Sequence, residues 1–192
     1  MAHEGHDHAH HHTHDHGPGA DHHHHHEHEH HHHGTSPSAV ATWVVTCSDT
    51  RDASTDEGGA LARKLVIASG HTLLGHEVVK DDAAAITHAL EHALEHGARA
   101  VIFTGGTGLT SRDVTVQTLA PRFERTLDGF GELFRMLSYQ QVGSAAWLSR
   151  ATAGLVKGAL IFVLPGNPKA VQLALEKLIL PELGHALREV LR

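Results

Sequence analysis

Four short apolar runs, at residues 40–46, 71–79, 100–103 and 159–164, stand out from the polar remainder of the chain. Their length and their content of Val, Ile, Leu and Phe predict β-strands. Between the first two, Asp56 stands where it can cap a helix running to about Ser69, with Leu61, Leu65 and Ala68 on one face and Gly70 at the stop. A second helix is predicted over residues 82–96, with Ile86, Leu90, Ala93 and Leu94 inward and Gly97 closing it. A Gly-rich turn follows the third run, then a helix opened by Thr115, a longer mixed segment over residues 129–154, the fourth strand and a C-terminal helical region. Alternation of this kind predicts a mostly parallel sheet flanked by helices, an α/β architecture whose ligands lie outside the carboxyl ends of the strands.

Composition changes this picture at one end. Residues 1–34 hold 18 of the 24 histidines and six acidic residues, with no Lys or Arg. Residues 3–33 contain no Leu, Ile, Val or aromatic side chain to build a core, so disorder is expected there without a ligand. Residues 34–38 read as a linker, which divides the chain into a tail at 1–38 and one folded domain at 39–192. The tail's densest runs are His22, His23, His24, His25 and His26, then His30, His31, His32 and His33. Neutral imidazole binds Ni²⁺, Zn²⁺, Co²⁺ and Cu²⁺, so transition-metal binding is expected of this segment. A solvating spacer or an engineered tag are the alternatives, and the irregular mixing of His with Asp, Glu and Gly argues against a standard tag.

Outside the tail, sixteen acidic residues meet fifteen basic ones. With no basic excess, a general nucleic-acid surface is not expected. The single cysteine, Cys47, cannot form an internal disulfide, which suits a reducing compartment such as the cytoplasm. No apolar run approaches the roughly 20 residues of a membrane span, and the N-terminus has no apolar signal segment, so a soluble protein is expected.

The third strand leads into Thr104-Gly105-Gly106-Thr107-Gly108, where glycines let backbone N–H groups approach an anion. The turn is neither a Walker A loop nor a full G-x-G-x-x-G, because Ser111 stands at the third glycine position. By itself it is compatible with a phosphate nest or with a plain tight turn. The next residues, Leu109-Thr110-Ser111-Arg112-Asp113-Val114-Thr115, set a cation and a carboxylate beside it.

Together with residues 128–138, with Ala146-Trp147-Leu148-Ser149-Arg150 and with Leu164-Pro165-Gly166-Asn167-Pro168, these motifs closely resemble the MogA/MoaB molybdenum-cofactor family. The resemblance extends to residues 46–51 and 79–82 and covers residues 39–192, but none of the tail. It implies a three-layer α/β/α sandwich and a reaction that joins the AMP part of ATP to the terminal phosphate of molybdopterin, with loss of pyrophosphate. It also implies Mg²⁺ organised by Asp81 and Asp113 as the catalytic pair. The turn at Gly105, Gly106, Thr107 and Gly108 would hold phosphate, and Ser48 and Asp49 would lie in the pocket. Glu132, Ser149 and Arg150 would line the pterin side, and Pro165, Gly166 and Asn167 the nucleotide-and-pterin loop. A homotrimer or homohexamer is implied, with contact to a molybdenum-insertion enzyme as a possible partnership. The sequence departs from the family at Val116 and Gln117, where Pro and an acidic residue are common, and at Lys80, where Pro is common; neither change touches a proposed metal ligand. The 165–168 loop looks more like MogA, and residues 131–139 more like MoaB.

Polar residues at strand ends also have plain structural uses: Asp81, Asp82 and Thr115 as helix caps, and Pro165-Gly166 as a bend. Cys47 reads as a small buried residue at a strand end. His88-Ala89-Leu90-Glu91-His92 and His92-Ala93-Leu94-Glu95-His96 both match H-x-x-E-H, a short pattern produced easily by chance, and an exposed helix face explains them. Two rival functions remain at this stage: a non-catalytic molybdopterin-binding or carrier protein, and a metal storage or sequestration protein that uses its tail.

Overall fold

The apolar runs form strands because the central ones alternate their side chains between two buried faces, while the run at 71–79 lies at the sheet edge and is only partly covered. In the computed structural model, which describes residues 39–192, Val44 and Ile102 enter one apolar cluster, while Trp43, Val45, Val101 and Phe103 enter the other. Six strands result: β1 (Ala41–Cys47), β2 (Thr72–Val79), β3 (Ala100–Thr104), β4 (Arg125–Thr126), β5 (Thr152–Val156) and β6 (Ala159–Leu164). They form one sheet in the order β2-β1-β3-β6-β5-β4. The β2, β1, β3 and β6 strands run parallel, and β5 pairs antiparallel with β6 and β4.

The helices are α1 (Glu57–Ala68), α2 (Ala83–Glu95), α3 (Thr115–Leu119), α4 (Asp128–Val142), α5 (Pro168–Ala174) and α6 (Leu180–Val190), the last two joined by a π-helical turn at Leu175–Ile179. Ala62 and Val66 of α1, Phe134 of α4, and Val171, Leu175, Leu183 and Leu187 of the C-terminal helices cover one sheet face. Ile86, Ala89, Leu90 and Ala93 of α2, with Leu119 of α3, cover the other. The three-layer α/β/α sandwich expected from the sequence is therefore the observed fold. Each fully buried Val, Leu or Ile contributes about 1.5–3 kcal/mol, so the two clusters are the main source of its stability.

Three local expectations need correction. First, α1 buries Ala62 and Val66, not the Leu61, Leu65 and Ala68 face; Leu61 and Leu65 are only partly covered and Ala68 is exposed. Asp56, at 2% exposure, caps the helix, and Gly58 and Gly59 are buried against neighbouring strands and loops, which rotates the inward stripe. Second, the mixed segment at 129–154 contains a 15-residue helix and leads into β5, which turns into β6 through Lys157 and Gly158. Both turn residues have positive φ, 49° and 72°, as a two-residue hairpin turn requires. Lys-Gly is a weaker sequence signal for that turn than Asn-Gly, so the antiparallel strand was hidden. Third, Thr115 does not cap α3; it is the helix's first residue and its side chain is buried.

No helix among the described residues is long and apolar enough to cross a membrane. The tail histidines and the linker, residues 1–38, lie outside the described residues.

Candidate active site at the carboxyl ends of the strands

Parallel pairing in matched register brings Thr46, Thr104 and Leu164 level with one another at the ends of β1, β3 and β6. Cys47 stands level with Val79 at the end of β2. The loops that follow, at 48–51, 80–82, 105–108 and 165–167, therefore leave the sheet along one edge. This is the edge where ligands bind in open α/β sheets.

Backbone and side-chain bonds tie these loops to each other. The Ser48 amide donates to Val79 O at 2.8 Å, and the Ser48 hydroxyl accepts from the amides of Thr50 and Arg51 at 3.2 and 3.1 Å. Asp49 Oδ1 accepts from the Asp81 amide at 3.2 Å. Arg51, which sequence reasoning did not single out as a site residue, donates from Nη1 to Gly166 O at 3.0 Å and so joins the first loop to the last. Asn167 caps α5 by accepting from the Lys169 amide at 2.9 Å, and Pro168 opens that helix.

The glycine turn lies at the centre. Gly105 (φ 98°) donates its amide to Leu164 O at 2.9 Å, and a β-carbon there would run into the carbonyl oxygen of Cys47. At Gly106 (φ 61°) a β-carbon would strike the Thr115 hydroxyl and lie 2.5 Å from Asp81 Oδ1. Only glycine fits both positions. At Gly108 a β-carbon would lie 2.7 Å from Asp113 Oδ2, so that carboxylate packs against the turn.

The acidic groups differ in environment. Asp113 Oδ2 accepts from the Thr110 hydroxyl at 2.5 Å and from the Thr110 amide at 2.9 Å. Those bonds, chiefly the one from the hydroxyl, hold its carboxyl below the usual carboxylate range. Asp81 is the opposite case: burial, then the negative charges of Asp49 and Asp113, push its carboxyl up, and Arg112 partly offsets them. Its Oδ1 oxygen is buried without a hydrogen-bond partner. Arg150 closes the far side, donating from Nε to Thr107 O at 3.2 Å and from Nη2 to Asp113 O at 3.0 Å. Arg112 acts on Asp81 through charge and was visible in sequence only as the residue before Asp113.

The structure thus gathers Ser48, Asp49, Asp81, Gly105, Gly106, Thr107, Gly108, Asp113, Arg150, Pro165, Gly166 and Asn167 on linked loops. Ser149 precedes Arg150 and accepts from the Ala151 amide at 3.3 Å. Glu132 stands apart: it is exposed on α4, and among the described residues no hydrogen bond or ion pair joins it to these loops. A groove of about 630 Å³ opens between α4 and α5, walled by Asn167, Ser138, Gln141 and Lys169 among others, but not by Asp81, Asp113 or the glycine turn.

Comparison with known proteins agrees with this geometry. The family model described as "Probable molybdopterin binding domain" matches residues 43–185. The chain belongs to this family. Among members of the molybdopterin-binding family, molybdenum cofactor biosynthesis protein B of Bacillus subtilis (strain 168) is 44% identical over 157 residues, 81% of this chain and 92% of that one. The Staphylococcus aureus (strain COL) protein of the same name is 47% identical over 150 residues, 77% of this chain and 89% of its own length. A crystal structure of molybdenum cofactor biosynthesis protein B superposes with a TM-score of 0.79 at 42% identity, covering 82% of this chain and 99% of that chain. The tungsten cofactor synthesizing protein MoaB from Pyrococcus furiosus gives 0.75 at 36% identity, covering 81% and 99%. The described part of this chain thus matches nearly the full length of those relatives. The chain is a MogA/MoaB-type member of that family.

Proposed function

We propose that this protein is a molybdopterin adenylyltransferase. In the balanced reaction, an oxygen of molybdopterin's terminal phosphate attacks the α-phosphorus of ATP and forms a new P–O bond. The bond from that phosphorus to the β-phosphate's bridging oxygen breaks, and pyrophosphate leaves. The observation that carries this reading is the meeting of Asp81, Asp49 and Asp113 around the glycine turn, with Asp81 Oδ1 buried and unpartnered.

That oxygen tests whether the site suits Mg²⁺. A partly buried carboxylate, raised by burial and then by two like charges, is a group that a hard cation relieves, and oxygen is the donor such a cation prefers. Asp81 and Asp113 are the residues that would hold it. When bound, the cation offsets the negative charge of phosphates brought together. The rest of the work falls to the chain. The Gly106 and Thr107 amides offer donors to a phosphate oxygen, Arg112 adds positive charge at the rim, and Arg150 fixes the turn by gripping two of its carbonyls. Ser48, Ser149, Pro165, Gly166 and Asn167 shape the walls.

The test is catalytic. The full chain incubated with molybdopterin and Mg-ATP is expected to give adenylylated molybdopterin and pyrophosphate in equal amounts. Tight pterin binding without pyrophosphate release would reject the enzyme and leave a carrier. The proposal includes assembly into a homotrimer or homohexamer, for which exposed Met136, Tyr139, Val142 and Trp147 offer an apolar face, and delivery of product to a molybdenum-insertion enzyme. It also assigns Ni²⁺, Zn²⁺ or Co²⁺ binding to residues 1–34, on composition alone. Equilibrium dialysis of the full chain against the protein lacking residues 1–38 checks that assignment.

A further inference from the structure

The α2 histidines form the exposed face expected of them, His88 and His96 exposed and His92 half-exposed, but two of them also pack beside an aromatic ring. His88, His92 and His96 run at four-residue spacing along the side of α2 that leans toward β1 and the edge strand β2. The His92 ring meets the Trp43 indole edge-on at 5.1 Å between centroids, and the His96 ring lies 5.6 Å from it. The metallopeptidase pattern itself is a decoy: Glu91 pairs with Lys157 at 2.7 Å and with Arg122 at 3.4 Å, on the other side of the helix. Among the described residues, no set of three or more His, Cys, Asp or Glu side chains converges on one point.

A smaller arrangement brings two of these rings side by side. His96 Nδ1 lies 2.8 Å from the carbonyl oxygen of His92. A carbonyl only accepts, so this nitrogen carries the proton, and the neutral ring keeps its lone pair on Nε2. His92 Nδ1 is buried with no hydrogen-bond partner and faces Glu77 Oε1 at 3.6 Å. Glu77 is held there by the Trp43 indole N–H, which donates to the same oxygen at 3.1 Å. With that carboxylate beside Nδ1, Nε2 is the ring nitrogen available to an ion. Metal-binding histidines are oriented in this way, one ring nitrogen tied to a carboxylate or backbone carbonyl and the other free for the ion. The rings also have suitable spacing. Two imidazoles sharing one ion, with metal–nitrogen bonds of about 2.1 Å, have centroids roughly 4.5–5 Å apart; His92 and His96 are 4.4 Å apart and near perpendicular, at 70°. His88 and His92 are farther apart, at 6.0 Å.

We propose that His92 and His96 form a two-imidazole site for one borderline divalent transition cation of the Cu²⁺, Ni²⁺ and Zn²⁺ class, in the seam between α2 and β2. Water completes the coordination. Glu77 orients His92 and does not bind the ion. Two protein ligands leave the site open, which suits a cation that is received and passed on, in contrast to the closed four-ligand sites that hold structural zinc. The assignment rests neither on adenylyl transfer nor on the tail, and it places transition-metal chemistry on the folded domain itself.

The experiment uses the protein lacking residues 1–38, whose relatives fold as whole chains of that extent, so that tail histidines do not compete. The chain has two tryptophans, Trp43 and Trp147. With Trp147→Phe in place, Trp43 alone reports, at 5–6 Å from the proposed ligands. Titration with Cu²⁺, the tightest binder of the series, is expected to quench Trp43 saturably at one equivalent, with two imidazole nitrogens coupled to the copper in the EPR spectrum. His96→Ala, a change at an exposed position, is expected to weaken binding about tenfold or more and to leave one coupled nitrogen. Glu77→Gln, which keeps an acceptor for Trp43, is expected to weaken it about tenfold. His88→Ala is expected to bind as the parent does. Absence of saturable quenching, unchanged binding in His96→Ala, or an equal loss in His88→Ala would each overturn the site.

Discussion

The Asp81 amide donates to Asp49 Oδ1 at 3.2 Å, and this one bond holds two carboxylates on the same rim of the glycine turn. The rim is consequently a site of unrelieved negative charge when nothing is bound. Its residues serve function at some cost to the stability of the free protein.

The first prediction follows from that conflict. Asp81 has a raised carboxyl, so its charged form is disfavoured in the fold, and folding grows more favourable as pH falls toward the folded value. Asp81→Asn removes the charge at neutral pH. Because the group is largely solvent-screened, the gain is well under ~1 kcal/mol, a rise in Tm of about 1–2 °C. Turnover should fall by roughly 10²-fold or more if the carboxylate holds the catalytic cation. Calorimetry without ligand and a pyrophosphate-release assay check the two halves. A lower Tm with intact turnover contradicts both.

Asp113 should respond with the opposite sign. Its carboxyl is lowered, chiefly by the Thr110 hydroxyl, so its contribution to stability is present above the ordinary carboxylate range and is lost as pH falls through the folded value. Asp113→Asn is expected to lower the Tm slightly at pH 7, and the difference is expected to shrink as pH falls below the ordinary carboxylate range toward pH 3. Thermal melts of both proteins across that range read the effect.

Gly106→Ala tests the close approach at the turn. Alanine at a left-handed φ of 61° costs about 1 kcal/mol, and its methyl group collides with the Thr115 hydroxyl and Asp81. A loss of ~2–4 kcal/mol is expected, with a Tm fall of roughly 5–12 °C. Thr115→Ala in the same protein should recover part of it, and the absence of any recovery would show that the clash lies elsewhere.

A buried polar chain is the subject of the fourth prediction. Asp56 accepts from the Thr46 hydroxyl at 2.6 Å, the Gly59 amide at 2.9 Å and His76 Nε2 at 3.1 Å. The His76 value is lowered, by burial first and then by Arg63, with Asp56 opposing. Between that lowered value and about pH 6.5 the unfolded chain binds the extra proton, so stability declines as pH drops below about 6.5. His76→Gln should flatten this part of the pH profile in denaturant melts at pH 7.5 and 5.5. Asp56→Ala should cost ~3 kcal/mol, since it removes a helix cap and strands buried donors.

Cys47 gives the last. Burial pushes its thiol up to about 12, so almost no thiolate exists at pH 8. Ellman's reagent should label it only on unfolding. Prompt labelling of the native protein would show that the end of β1 opens.

Much of this protein was determined by local sequence. Runs of apolar residues, Asp56 and Asp82 as caps, and Gly70 and Gly97 at positive φ mark four strands and two helices, because each signal acts over a few residues. The site residues were legible as motifs for the same reason, since the residues that follow a parallel strand must emerge at its carboxyl end. Other features arise only from distant pairing, and the tertiary structure alone decided them. The antiparallel β5 depends on a Lys-Gly turn that local propensity barely favours. The inward face of α1 depends on glycines packed against other elements. Arg51 bridges to Gly166 across 115 positions, and Glu132 lies exposed on α4. Asp81 owes its perturbed acidity first to burial and then to charges 32 positions away on either side, all of them consequences of the register of three strands. Hydrogen-bond partners and dielectric surroundings belong to a place in space, and a chain acquires them only when it folds.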